Sequence, residues 1–269
     1  MHRRQLIGTG LVALASPRIA RAQAATTLRF VPQADLALLD PIQSTGFVTR
    51  NHAFLVFDTL YGWDEQYRVQ PQMVEGHRIE DAGLTWLLTL RDGLRFHDGQ
   101  PVLARDCVAS LRRWGTRDSF GLAVMGVTDE VSAPDDRTIR WRLKRPFPLL
   151  ADALGKPGAN VAFMMPERLA KTDSSAQVPE MVGSGPYRFV ADERLAGSRT
   201  VYARFDGYRP RQGAPSMLAG GKVAQFDRVE WLTIPDPATA AAALQRGEVD
   251  WWEQPIGDLL PSLRRTAGL

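Results

Sequence analysis

Between Leu84 and Trp114 the hydrophobic pattern changes period inside one unbroken stretch, LTWLLTLRDGLRFHDGQPVLARDCVASLRRW. In LTWLLTLRDG the residues Leu84, Trp86, Leu88 and Leu90 alternate with Thr85, Thr89 and Arg91. A period of two puts every second side chain on one face of a strand. Past the pairs Asp92-Gly93 and Asp98-Gly99, the apolar positions become Ala104, Cys107, Val108, Leu111 and Trp114. That i, i+3, i+4, i+7 spacing belongs to a helix with one buried stripe. A half-buried strand that gives way to an amphipathic helix argues for a mixed α/β chain in which helices cover sheets.

The same stretch contains His97 beside Asp98, with Cys107 ten residues on, the residue types of a cysteine nucleophile and its base. Local spacing creates no triad, however, and Cys107 already has a place in the buried stripe, as a small core residue. The histidines His52, His77 and His97 are scattered, with no HxxxH pair and no second cysteine, so no metal site is expected. The two Asp-Gly pairs read as turn punctuation, with glycine taking the backbone angles other residues avoid. The stretch is scaffold, and no catalytic residue, metal ligand or cofactor is expected from it. A single cysteine also excludes an intramolecular disulfide, leaving core burial to hold the fold.

Elsewhere the same two periods recur. TTLRFVPQ reads as a strand, and LALLDP (36–41) as a turn before a proline. TRNHAFLVFDTLYGWD (49–64) reads as a helix with Phe54, Leu55, Phe57 and Leu60 on its buried face. In VTDEVSAPDDRTIRWRLKRPF, Pro134-Asp135-Asp136 makes a turn and Ile139, Trp141 and Leu143 face a core. GPYRFV, TVYARF and VEWLTI are further strands. PATAAAALQRGEVD is an alanine-rich helix stopped at Gly247, and LLPSLRRTAGL starts another.

Charge is informative only after its position is considered. The chain has a formal net charge of +3. Residues 1–24 hold Arg3, Arg4, Arg18 and Arg21 and no acid, so the rest carries −1. With no basic stripe left, nucleic acid is excluded as a partner. The first 24 residues have the form of an export signal: a basic start, the apolar run LIGTGLVALA, and small-residue cleavage patterns at Ala22 and Ala24. Arg3-Arg4 followed by Gln5-Leu6-Ile7 resembles a twin-arginine signal, with a general secretory signal as the alternative.

Six segments in this order resemble the extracellular solute-binding proteins of family 5, which include dipeptide-, oligopeptide- and nickel-binding periplasmic proteins. They are LDP (39–41), FDTLYGWDEQYRVQPQMVEG (57–76), LTWLLTLRDGLRFHDGQPVLARDCVASLRR (84–113), DDRTIRWRLKRPFPLL (135–150), VGSGPYRF (182–189) and LQRGEVD (244–250). His77 stands where the family usually has tryptophan, and Cys107 where it usually has valine.

The resemblance implies a type II periplasmic-binding-protein-like α/β fold, two-lobed, with mixed sheets and inserted antiparallel hairpins. The expected organisation is a signal over 1–24, a first segment of lobe I over 25–45, and an inserted α+β subdomain over 46–181. A second segment of lobe I covers 182–236, and lobe II starts over 237–269. By the family pattern the chain runs on past Leu269, so only the N-terminal part of that fold is expected here. The implied function is capture of a peptide or other small polar solute in the periplasm. Delivery is to an inner-membrane permease driven by an ATPase, with no catalysis. The alternatives are an exported half that binds a protein partner, a non-functional fragment and, last, an exported hydrolase.

By position in the family, Asp35 and Leu36 line the cleft from the first lobe. Asp35 either faces a ligand amine or is a solvated turn residue. Phe120 sits where relatives place an aromatic against the ligand, or belongs to the core. Asn160 lies on a loop that approaches the cleft in relatives. Trp251, Trp252, Glu253 and Gln254 combine two aromatics, an acid and an amide at a strand end, the composition of a pocket wall; the alternative buries one tryptophan and leaves Glu253 in solvent.

Overall fold

A computed structural model describes residues 26–269; the export signal expected over 1–24 lies outside the described residues. In chain order, β1 (Thr27–Val31) leads to helix α1 (Phe47–Val56). The short strands β2 (Asp58–Thr59), β3 (Tyr61–Trp63) and β4 (Val69–Pro71) precede β5 (Val74–Glu80) and β6 (Thr85–Leu90). Next come α2 (Ala104–Trp114), α3 (Ser119–Val127), β7 (Thr128–Ser132), β8 (Thr138–Leu143) and α4 (Leu150–Gly155). β9 (Phe163–Met164), α5 (Glu167–Ala170), β10 (Tyr187–Phe189), β11 (Arg199–Arg204) and β12 (Arg228–Leu232) follow. The order ends with α6 (Pro237–Gln245), β13 (Trp251–Trp252) and α7 (Leu260–Leu263).

Two sheets organise these elements. A five-stranded sheet has the order β10-β11-β12-β1-β13, and a four-stranded antiparallel sheet has the order β5-β6-β8-β7. In the first, β1 is parallel to both its neighbours. The strand TLRFV is therefore central, and its Phe30 and Val31 are buried from opposite faces. Trp231, Phe30 and Trp251 stand in register across β12, β1 and β13, with ring centroids 5.3 and 4.8 Å apart. Parallel strands need a crossover, and α6 supplies the one that carries the chain from β12 past β1 to β13. Asp236 caps α6 by accepting the Thr239 N–H at 2.8 Å, and Pro237 opens the helix. Gly247 ends it at φ 68°, a left-handed angle glycine takes at little cost. Its buried face is Ala240, Ala241 and Ala243, small enough to bring the helix against Val31 and Trp252.

The second sheet follows the expected alternation. Trp86, Leu88, Leu90, Ile139, Trp141 and Leu143 are buried, and α2 packs Ala104, Cys107, Val108, Leu111 and Trp114 against the same core. β7 and β8 form the hairpin expected around Pro134-Asp135-Asp136.

Two expectations are corrected. The helix expected over 49–64 stops at Val56, and its buried residues are Val48, Thr49, His52, Ala53 and Val56. Phe57 and Leu60 are buried, but from extended chain, while Phe54 and Leu55 are only partly covered. The cause is tertiary. The Val56 carbonyl accepts the Gly185 N–H at 2.9 Å, and Asp58 and Thr59 pair with Met164 and Phe163. The C-terminal helix is likewise short, confined to Leu260–Leu263.

The range 46–181 contributes more than the four-stranded sheet: α1, inside it, packs Val48, Ala53 and Val56 against the five-stranded sheet. The range 237–269, expected to open a second lobe, places α6 and β13 on that same sheet.

Candidate functional site

The stretch around His97 works as a joint between the two sheets. His97 Nε2 donates to the Gly185 carbonyl at 3.0 Å, its Nδ1 accepts the Gly183 N–H at 3.4 Å, and its backbone N–H donates to the Gly183 carbonyl at 2.9 Å. The ring is thereby committed to the VGSGP loop and is unavailable as a base. Cys107 is fully buried, and burial pushes its thiol well above the ordinary range. Among the described residues no group of three His, Cys, Asp or Glu side chains is placed to hold a metal ion.

Burial lowers His97 from 6.5 to about 4, with Arg188 adding to the effect and Gly185 and Asp98 opposing it. His52, under the sheet against Tyr202, is lowered to about 3 by burial first and the nearby Arg194 second. Both histidines are neutral when folded and bind protons on unfolding. Stability is therefore full above about pH 6.5 and is lost as pH falls toward 4, by roughly 1.4 kcal/mol per pH unit for each histidine. Urea unfolding at pH 7.5, 6.5, 5.5 and 4.5 tests this, and a flat stability between pH 6.5 and 5 would refute it.

The candidate site follows from the parallel strands. β1, β12 and β13 run in one direction, so their carboxyl ends open on one edge of the sheet. Adjacent connections there leave in different directions and leave a crevice. Here it is a cleft of about 450 Å³ with Gln33, Asp35, Thr233, Pro237, Trp252 and Gln254 among its walls. Each of the three strand ends supplies part of the lining.

Of the residues expected to touch a ligand, the structure gathers Asp35, Trp252 and Gln254 on this cleft. Asp35 is exposed, and its Oδ1 accepts from the Thr233 hydroxyl at 3.3 Å. Trp252 forms a buried wall and Gln254 an exposed rim. Glu253 stands behind the loop, its Oε2 accepting the Gln33 N–H at 2.9 Å and its Oε1 the Asn51 Nδ2–H at 3.0 Å. Trp251 points to the other face of the sheet, 55% exposed, its ring tilted against Phe30.

The remaining three lie apart from the cleft. Leu36 is a core residue whose carbonyl accepts from Arg194 Nη2 at 2.8 Å. Phe120 packs beside Phe147 against the other core. Asn160, at φ 46°, gives its Nδ2 hydrogens to the carbonyls of Pro41 and Ser44 at 3.0 and 3.2 Å. It borders a separate hollow of about 220 Å³.

A larger hollow of about 520 Å³, lined by Leu39, Val178, Met181, Phe189 and Arg194 among others, lies away from the ends of β1, β12 and β13. Its walls come from the Leu39 turn, the 177–182 segment and the loop after β10, a strand antiparallel to its neighbour, so no parallel strand ends on it. Gln33, Thr233 and Asn51 were not singled out in the sequence. The first two sit just past strand ends, a signal that was available; Asn51, joined to a residue 202 positions away, carried none.

Residues 68–269 match the family model described as bacterial extracellular solute-binding proteins, family 5 Middle. A protein of Sinorhizobium fredii named a probable peptide ABC transporter periplasmic-binding protein is 39% identical, over 100% of this chain and 52% of its own length. A glutathione-binding protein of Pectobacterium atrosepticum is 28% identical, over 93% of this chain and 46% of its own. Among solved structures, an ABC transporter-associated periplasmic binding protein of Helicobacter pylori in complex with the peptide STSA superposes with a TM-score of 0.73. It is 21% identical, and the likeness covers 90% of this chain and 50% of that one. The chain thus spans about half the length of the curated relatives it matches. The likeness shows the fold, that of the type II periplasmic-binding proteins.

Proposed function

Because the chain belongs to the bacterial extracellular solute-binding proteins of family 5, we propose that it serves as part of the substrate-binding component of an ABC importer. It works in the periplasm, holding a peptide or another small polar solute for an inner-membrane permease and its ATPase. The observation that carries this reading is the cleft at the carboxyl ends of β1, β12 and β13. Its walls combine an aromatic surface, Trp252, with hydrogen-bonding groups from Gln33, Asp35, Thr233 and Gln254. Such a mixture grips and orients a small polar molecule. Among the described residues, no histidine, cysteine, serine or lysine lines that cleft, and retention and release without chemistry is the task it suits.

Asp35 supports a solute with a protonated amine. Its carboxylate is exposed, and its contact with Thr233 at 3.3 Å leaves room for a charge-assisted hydrogen bond. Asp35 is the open carboxylate of the cleft, since Glu253 is engaged with Gln33 and Asn51.

The test is calorimetric titration of the protein with the tetrapeptide Ser-Thr-Ser-Ala and with glutathione. Binding of at least one, accompanied by a change in tryptophan fluorescence from Trp252, is the expected result. Asp35→Asn should then weaken binding by about tenfold, the loss of one charged hydrogen bond. If neither solute binds, and no peptide from a mixed pool is retained by the protein, the reading is wrong.

A further inference from the structure

Glu253 lies behind the cleft, where the loop after β1, the end of β13 and α1 meet. Its Oε2 accepts the backbone N–H of Gln33, in the loop after β1, at 2.9 Å. Its Oε1 accepts from Nδ2 of Asn51, on α1, at 3.0 Å. Its own N–H donates to the Val31 carbonyl at 3.0 Å, which continues the pairing of β13 with β1. One carboxylate thus joins segments 202 and 220 residues apart in the chain.

The Asn51 side chain is itself held. Its Oδ1 accepts from Arg50 Nε and Nη2 at 3.3 and 3.1 Å. The Arg50 guanidinium also donates to the Pro157 carbonyl at 3.2 Å and lies 4.4 Å from the centre of the Phe47 ring. The network ends on main chain and an aromatic face, so it has a fixed frame.

We propose that Glu253 is a positioning residue that holds the Gln33–Asp35 loop in its binding geometry before solute arrives and does not itself read the solute. The proposal rests on the solute-binding reading only for what the cleft receives. Two N–H donors point at Glu253, and a carboxylate meets both because each of its oxygens accepts. An amide in its place offers one acceptor and turns an NH₂ group toward a donor. A loop left untied must be ordered when solute binds, which costs affinity.

Glu253→Gln is the informative variant, measured by amide hydrogen exchange at Gln33, by thermal unfolding and by calorimetry with Ser-Thr-Ser-Ala and glutathione. The expected result is exchange at Gln33 about 10- to 100-fold faster and weaker binding by a similar factor, with the unfolding temperature nearly unchanged. Adding Asn51→Asp should restore both. The new amide at 253 then donates to the new carboxylate at 51 and accepts the Gln33 N–H, while the other oxygen at 51 still receives Arg50.

Unchanged exchange at Gln33 in Glu253→Gln overturns the proposal. So does a double variant no better than the single one, or faster exchange with unaltered affinity. If the unsubstituted protein binds neither solute and retains no peptide from a mixed pool, the transport reading falls, and the exchange measurements still decide whether Glu253 holds the loop.

Discussion

Arg113→Ala is expected to destabilise the protein by about 3–5 kcal/mol, the cost of leaving one member of a buried ion pair uncompensated. Arg113 comes from the last turn of α2 and Asp40 from the LDP turn, with side chains 3% and 0% exposed. Nη1 and Nη2 donate to the two carboxylate oxygens at 3.0 and 2.8 Å. Nε donates to the Thr172 carbonyl at 3.0 Å, and Nη2 also to that of Ala176 at 2.8 Å. Asp40 further accepts the N–H groups of Val178 at 2.9 Å and Ile42 at 3.2 Å. The pair thus closes the long loop 171–178 against the segment that leaves the cleft. Removing the guanidinium orphans the Thr172 carbonyl as well as a charge, while the Ala176 carbonyl keeps Gln43 Nε2 at 3.4 Å. Urea unfolding measures the loss, and a cost below about 1 kcal/mol would contradict the argument. Pairing Arg113→Met with Asp40→Leu should recover part of the loss, because the buried charge leaves with its partner.

Gly183→Ala should cost about 3 kcal/mol, the upper end for forcing extra atoms into a packed site. A Cβ at this position would lie 2.1 Å from the Val56 carbonyl oxygen and 2.7 Å from Phe57 Cδ1. The first of these is backbone, at the end of α1, and cannot rotate away. The same glycine exchanges hydrogen bonds with His97, so a displaced loop also loosens the joint between the sheets. Gly76→Ala is the control. Nothing lies within 4 Å of a Cβ there, so stability should change by no more than about 0.5 kcal/mol. Equal unfolding midpoints for the two variants would show that the close approach at Val56 is not limiting.

The readable parts of this chain are those whose cause lies close by in sequence. α2 and the alternation in β6 and β8 follow from periods visible within ten residues, and α6 from its cap, its proline and its terminal glycine. The missed boundary at Val56 shows the other case. FLVFDTLYGW has helical spacing, yet Asp58 and Thr59 pair with a strand more than a hundred residues on, and the glycine loop takes the last helical carbonyl. Tertiary pairing of that kind outweighs a local propensity of a few tenths of a kcal/mol per residue.

The candidate site divides along the same line. Asp35 was reached through its position in the family, and Trp252 and Gln254 through two aromatics, an acid and an amide set together at a strand end. Which side Trp251 faces, what Glu253 holds and whether Asn160 is free were beyond reach, since each depends on a partner far away in the chain. By itself the sequence determined the class of fold, the strands and helices with strong periods, the scaffold role of the His97 stretch and the family. Only the tertiary structure decided where α1 ends, which strand ends converge on one cleft, and which of two neighbouring acids stays open to a solute. Periodicity records how one element meets its core, whereas a cleft is made by elements whose meeting depends on packing and hydrogen bonds across some two hundred residues.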